Sequence, residues 1–274
     1  MWCACPRIAA RSKRPPPNIT GASTGIGAIY ADRLAARGYD LILVARNRDK
    51  LQALAAQISD KTGRSVEVLA ADLGDAADLA RVERVLREDA SVTALVNNAG
   101  IGTHTTLLES DVEKMAAMVQ LNVTALMRLT YAAVPGFVAR GGGTVINIAS
   151  IVAVAPELLN GVYGGTKAFV QAFTTSLNHE LADKGIRAQA VLPGATRTDF
   201  WALGGLPVEH LPTEIVMDAE DMVDAALAGL DQGETATIPA LRDIALWNAF
   251  EAARAALGPQ LSATRSAPRF HVAA

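Results

Sequence analysis

Two hydrophobic rhythms take turns along this chain. Short runs of β-branched and small apolar residues at 40–45, 65–70, 92–96, 144–149, 187–192 and 235–238 predict buried strands. Between them, apolar residues recur three and four positions apart. That spacing predicts helices over 28–37, 47–62, 76–88, 110–140, 162–184, 218–230 and 243–257. Regular alternation of strand and helix implies an α/β fold built on a doubly wound parallel sheet. Asn47 is placed to cap the helix that follows it, and Ser110-x-x-Glu113 reads as a capping box opening the helix at 110. Residues 199–213 carry Phe200, Trp201, Leu203, Leu206 and Leu211 among prolines and glycines, which is the composition of a mobile apolar lid.

The start of the chain breaks the rhythm. Prolines at 15–17 cannot donate ladder hydrogen bonds, so only Asn18, Ile19 and Thr20 remain for a first strand before Gly21. The first seventeen residues are basic and unlike the rest, and they are expected to be a disordered or non-native extension. A single catalytic domain is expected over 18–257, with a flexible tail at 258–274.

Composition adds mostly exclusions. Half of the 274 residues are apolar, as a sheet buried on both faces requires. A net charge of -3 gives no electrostatic footprint for nucleic acid or a membrane surface. No apolar run approaches the roughly 18–20 residues of a membrane span. Cys3 and Cys5 offer no disulfide framework, which favours a reduced, cytoplasmic setting. His104, His179, His210 and His271 are scattered without ligand spacing, so no metal site is expected.

Candidate chemistry falls at strand ends. Thr20-Gly21-Ala22-Ser23-Thr24-Gly25-Ile26-Gly27 stands between the first strand and a helix, where glycines let a backbone approach a pyrophosphate at the positive end of the helix dipole. A glycine cluster also serves as a bare turn. Arg46 follows the second strand, at the place where an arginine accommodates a ribose 2′-phosphate and an acidic residue would bind the free hydroxyl. Together with Arg48 it points to NADP rather than NAD, although such arginines also occur simply as a solvated loop. Ser150 ends the strand at 144–149. Tyr163 and Lys167 lie four residues apart on one helix face, which sets an ammonium beside a phenol. A nearby cation favours the phenolate, so such a tyrosine can exchange a proton with an alcohol or carbonyl oxygen. Asn122, an amide among apolar neighbours in a helix, has to be satisfied by a backbone carbonyl or a water.

Read together, these motifs resemble the short-chain dehydrogenase/reductase family in its single-domain form. The resemblance covers residues 18–240 and rests on motif order and on the spacing of Ser150 from Tyr163. It implies a seven-stranded Rossmann fold with strand order 3-2-1-4-5-6-7 and hydride exchange between a nicotinamide and a carbonyl or secondary alcohol. By that likeness the catalytic residues are Asn122, Ser150, Tyr163 and Lys167, with Tyr163 the proton donor in reduction. Lys167 would lower the Tyr163 pKa and hold the nicotinamide ribose, Ser150 would bond the substrate oxygen, and the Asn122 backbone would hold a water leading to Lys167. Gly21, Ser23, Gly25 and Ile26 would line the pyrophosphate and Arg46 the 2′-phosphate, with Thr24, Gly27 and Arg48 also on the cofactor. Asp72 and Leu73 would flank adenine, and Asn98, Ala99 and Gly100 the adenosine ribose. Pro193, Gly194 and Thr196 would also meet the cofactor, with Thr198 on its carboxamide. The expected cofactor is NADP(H), and the expected partner is a small carbonyl or alcohol substrate. A homodimer or homotetramer is also implied, through the helices at 110–140 and 162–184, which carry Phe169, Phe173 and Leu177. The apolar segment 199–213, with Val152, Leu158 and Leu159, predicts a hydrophobic substrate and leaves a 3-oxoacyl thioester, a steroid-like ketone and a small aldehyde open. The other reading on the same fold is an inactive NADP(H)-binding regulator or scaffold.

Overall fold

A computed structural model describes residues 14–270. Its parallel sheet contains β1 (Pro17–Thr20), β2 (Leu41–Ala45), β3 (Val66–Ala70), β4 (Ala94–Asn97), β5 (Gly143–Ile148), β6 (Ile186–Val191) and, near the end, β9 (Ala236–Thr237). The spatial order is β3-β2-β1-β4-β5-β6-β9, as the resemblance implied for seven strands. A small second sheet pairs β7 (Thr196–Arg197) with β8 (Met217–Asp218). The helices are α1 (Gly25–Ala36), α2 (Arg48–Thr62), α3 (Ala76–Glu88), α4 (Val112–Val119), α5 (Leu126–Ala139), α6 (Gly161–Leu181), the single turn α7 (Phe200–Leu203), α8 (Ala219–Gln232) and α9 (Ile244–Ala256).

Strand periodicity divides the core. In β2, Leu41, Leu43 and Ala45 face one side with Ile19, Tyr30, Leu51 and Met222, while Ile42 and Val44 face the other with Leu79, Val82, Leu129 and Phe137. Helices cover both faces, so continuous apolar strands cost nothing in exposed surface. The strand order reverses between β1 and β4. That is the crevice where open α/β sheets bind their ligands, outside the carboxyl ends of the strands.

Several sequence expectations need correction. The prolines do not hold the chain off the sheet: Pro17 opens β1 beside Ala94, and Pro16 accepts a hydrogen bond of 3.3 Å from Thr93 N. A proline lacks a donor, but its carbonyl still serves the ladder, and the first position of a strand tolerates it. The expected extension otherwise falls on residues 1–13, outside the described residues. Asp111, not Ser110, caps α4 by accepting from Glu113 N, while the Ser110 hydroxyl bonds Thr106 O. The expected continuous helix is interrupted between α4 and α5 by a π-helical stretch, Gln120–Ala125, which contains Asn122. Helix α1 begins at Gly25, inside the glycine turn. The segment at 199–213 has local structure of its own, with α7 and a 3₁₀ turn at Val208–His210. Asn47 caps α2 as expected, accepting from Lys50 N.

By contact the chain divides into a larger unit that ends at Pro239 and a second unit, Ala240–Ala274. Helix α9 lies in that second unit, where the Trp247 and Phe250 rings lie 5.3 Å apart at a tilt of 34°. None of its residues is buried.

Candidate active site

Thr20 organises the crevice. Its hydroxyl donates to Val96 O at 3.2 Å and accepts from Asn98 N at 2.9 Å and Ala99 N at 3.1 Å. Asn98 Nδ2 in turn donates to Thr20 O and Gly21 O at 3.0 and 3.2 Å. The glycine turn and the 97–100 loop are therefore one assembly. A Cβ on Gly27 would lie 2.4 Å from Gly21 O and 2.6 Å from Asn98 Nδ2, so only glycine fits there. Gly21 and Gly25 hold φ of 64° and 56°, the left-handed region that glycine enters without strain.

This cradle fits a phosphate. Thr24, before α1, makes no side-chain cap, and the first turn has no acidic residue, so its amides face no protein acceptor of that kind. Thr198 lies against the same turn, its Cγ2 3.2 Å from a Cβ built on Gly25. Ala22 N donates to Val44 O and Ala71 N to Ala45 O, which brings Arg46 and the Asp72–Leu73 corner to the same sheet edge. Arg46 and Arg48 are exposed, and among the described residues neither is in an ion pair. Asp72 is exposed and accepts from Gly74 N, while Leu73 is buried. Pro193 is buried after β6, and Thr196 donates to Gly194 O, stiffening the turn that leads to Thr198.

The other half of the site comes from β5 and α6. Asn160 caps α6, accepting from Val162 N and Tyr163 N, and its amide donates to Thr105 O at 2.7 Å. This cap fixes where Tyr163 emerges. The side chains of Tyr163, Lys167, Val170, Thr174 and Leu177 recur along one buried face of α6. Lys167 Nζ donates to Ile148 O at 2.8 Å and stands 5.8 Å from the centre of the Tyr163 ring. Ser150 Oγ donates to Pro193 O and accepts from Val152 N, both at 3.4 Å, long bonds that leave the hydroxyl loosely held.

Asn122 meets the sequence expectation. Its Oδ1 accepts from Ile101 N at 2.9 Å, and its Nδ2 donates to Ile101 O at 2.8 Å and to Thr166 Oγ1 at 3.2 Å. The side chain clamps the loop after β4 onto α6. A Cβ on Gly100 would lie 3.1 Å from Asn122 Oδ1 and 3.7 Å from Lys167 Nζ, so the loop after β4 and α6 meet here.

The electrostatics correct one expectation. Burial pushes the Tyr163 phenol up to about 12, and the nearby Ser150 hydroxyl draws it only part of the way back. Burial also brings Lys167 down to about 8. Desolvation penalises both charged forms. Because the folded Lys167 value lies below its ordinary 10.5, its contribution to stability is present above 10.5 and is lost as pH falls through about 8. At neutral pH the buried ammonium then costs about 3 kcal/mol. Lys167→Met is therefore expected to raise the melting temperature at pH 7 by roughly 3–6 °C after allowing for the lost Ile148 bond. The gain should shrink at pH 10. A melting temperature at pH 7 below that of the wild type would contradict this.

Beside Tyr163 opens a narrow apolar cleft, continuous with solvent, whose walls include Gly102, Leu159, Phe200, Trp201 and Leu206. Of the residues expected to shape the substrate, Leu159 reaches it, Val152 is buried with Met118, and Leu158 is exposed. Thr20, Asn160, Thr166, Gly102 and His104 are additions to the sequence reading. Only Asn160 carried a local signal, an asparagine just before a helix start. Leu177 faces its own core, while Phe169, Phe173 and Tyr131 form a ladder of stacked rings across α5 and α6. Among the described residues no cluster of three metal-ligating side chains occurs, and no helix is long and apolar enough to cross a membrane.

Comparison with known proteins agrees with this geometry. A family model described as short chain dehydrogenase matches residues 18–203. The chain is 47% identical to a short-chain dehydrogenase from Sphingobium yanoikuyae in complex with NADPH, with a TM-score of 0.90 over 92% of this chain and 98% of that one. It is 42% identical to a bulky-bulky ketone specific alcohol dehydrogenase from Comamonas testosteroni, with a TM-score of 0.86 over 93% and 98% of the two chains. Among curated relatives, a very-long-chain 3-oxoacyl-CoA reductase of Anas platyrhynchos is 34% identical over 179 residues, 64% of this chain. The match spans 57% of the duck protein's own length. The chain belongs to the short-chain dehydrogenase/reductase family of oxidoreductases.

Proposed function

We propose that this protein is an NADP(H)-dependent reductase that interconverts an apolar carbonyl compound and its secondary alcohol, with Tyr163 as proton donor. One observation carries the reading. Tyr163 stands at the base of an apolar cleft beside Lys167 and Ser150, and its phenol, held at about 12, stays protonated at neutral pH. A protonated phenol is an acid ready for reduction and a poor base for oxidation.

The dinucleotide, when bound, supplies hydride transfer, and the chain supplies position and charge. Tyr163 gives its proton to the carbonyl oxygen. Ser150 donates a hydrogen bond to the same oxygen as negative charge develops on it. The Lys167 ammonium, 5.8 Å from the ring, then stabilises the phenolate left behind. Asn122 has its side chain committed to Ile101 and Thr166, so its contribution, a water held on the way to Lys167, runs through the π-helical backbone. The ring ladder on α5 and α6, with Tyr131 69% exposed, supports a homodimer or homotetramer through these helices.

NADPH bound to the Sphingobium relative supports the cofactor assignment, as do the exposed arginines Arg46 and Arg48 after β2. Replacing Arg46 and Arg48 together by alanine is expected to lower kcat/KM for NADPH about 100-fold and leave NADH nearly unchanged, since each charge-assisted bond contributes about 1.5–3 kcal/mol. An unaltered preference would overturn the assignment. The activity itself is read from NADPH oxidation with a panel of ketones and aldehydes. Tight NADPH binding without turnover would mark a binding protein instead.

A further inference from the structure

We infer that the cleft is shaped for an uncharged carbonyl compound bearing a flat ring, seated against Phe200, and that Gly102 is the position that makes room for that wall. This rests on the carbonyl-reductase reading above and names its substrate class.

Three rings converge at the cleft. Phe200 lies 5.8 Å from Tyr163 at 45°, and Trp201 meets Phe200 edge-on at 6.0 Å and 89°. A Cβ on Gly102 would stand 2.4 Å from Phe200 Cζ and 3.1 Å from Tyr163 Cε2. The demand at Gly102 is for space, since the Phe200 ring edge occupies the volume where any side chain would begin. The turn that carries Phe200 is also pinned. Trp201 Nε1 donates to Thr196 O at 3.0 Å, and His104 Nδ1 bonds Gly204 O at 3.0 Å. The aromatic wall is therefore held in place from both ends of α7.

The remaining walls are Leu159 and Leu206, with Thr103 and His104 at the polar side, and no carboxylate, lysine or arginine lines the cleft. A charged substituent would find no counter-ion there, and burying one unpaired is costly. An apolar group of any shape gains from burial, but only a π-system gains in addition from offset or edge-to-face contact with fixed rings. Wild-type enzyme should accordingly discriminate between a planar ring and a saturated ring of the same size.

The test compares kcat/KM for phenyl methyl ketone and cyclohexyl methyl ketone in wild type, Phe200→Leu and Gly102→Ala, with NADPH affinity and melting temperature checked for each. The phenyl-to-cyclohexyl ratio should fall about tenfold in Phe200→Leu, mostly through the phenyl substrate. Gly102→Ala, which must displace the Phe200 ring, should lower the ratio in the same direction. A ratio unchanged in Phe200→Leu, or a rise for both ketones together, would overturn the inference and identify Phe200 as an obstruction. Turnover of open-chain ketones but of neither ring ketone would overturn the ring seat alone. Absence of NADPH oxidation by wild type with every ketone and aldehyde would defeat the reductase reading itself.

Discussion

Tyr163→Phe is expected to lower kcat for carbonyl reduction by about 1000-fold while leaving NADPH affinity within a few-fold of wild type. Only the hydroxyl is removed. The ring that packs against Phe200 and the Met118–Val152 cluster stays, so the fold and the cleft walls persist. General acid catalysis contributes roughly 10²–10⁴-fold. Loss of turnover with binding intact separates a missing proton donor from a misfolded site. Retention of a rate within tenfold of wild type would remove Tyr163 from the chemistry.

Gly27→Ala carries the second large effect, on stability and cofactor binding together. The added methyl would meet a backbone oxygen, Gly21 O, at 2.4 Å and the Asn98 amide at 2.6 Å. Backbone cannot swing aside as a side chain can, so Asn98 has to give up its bonds to Thr20 O and Gly21 O. Overpacking costs about 1–3 kcal/mol, and breaking the buried polar assembly adds to it, giving a melting temperature lower by on the order of 10 °C. NADPH affinity should fall with it, because the same atoms shape the phosphate cradle. Gly165→Ala is the internal control: it is exposed on α6 with nothing near its Cβ, and it should be neutral or slightly stabilising. Equal effects at the two glycines would contradict the packing argument.

Local signals carried the strand and helix rhythm, the Asn47 cap, the glycine turn and the Ser150–Tyr163–Lys167 grouping, because each depends on spacing within one or two elements. What escaped the sequence depends on partners far apart in the chain. Gly102 and Phe200 share no motif, and only the folded sheet brings the loop after β4 against α7. Thr20 looked like the last residue of a strand, and its role as a hydrogen-bond hub appears only when β4 lies beside β1. The Tyr163 pKa was misread in sign because helical spacing reveals the neighbouring cation but not the depth of burial, which is the largest influence on the phenol. The prolines at 15–17 were read as a barrier because a missing donor is visible in sequence, whereas an accepting carbonyl at a strand start is not.

The most direct test follows the rate of NADPH oxidation with an apolar ketone from pH 6 to pH 10, for wild type and Tyr163→Phe side by side. A neutral phenol flanked by an ammonium predicts kcat/KM that is level at the acidic end and declines as pH rises through about 8, where Lys167 loses its proton, with the variant inactive throughout. Reduction that accelerates as pH rises through this range, or a variant that follows the wild-type curve, would show that proton delivery does not come from Tyr163.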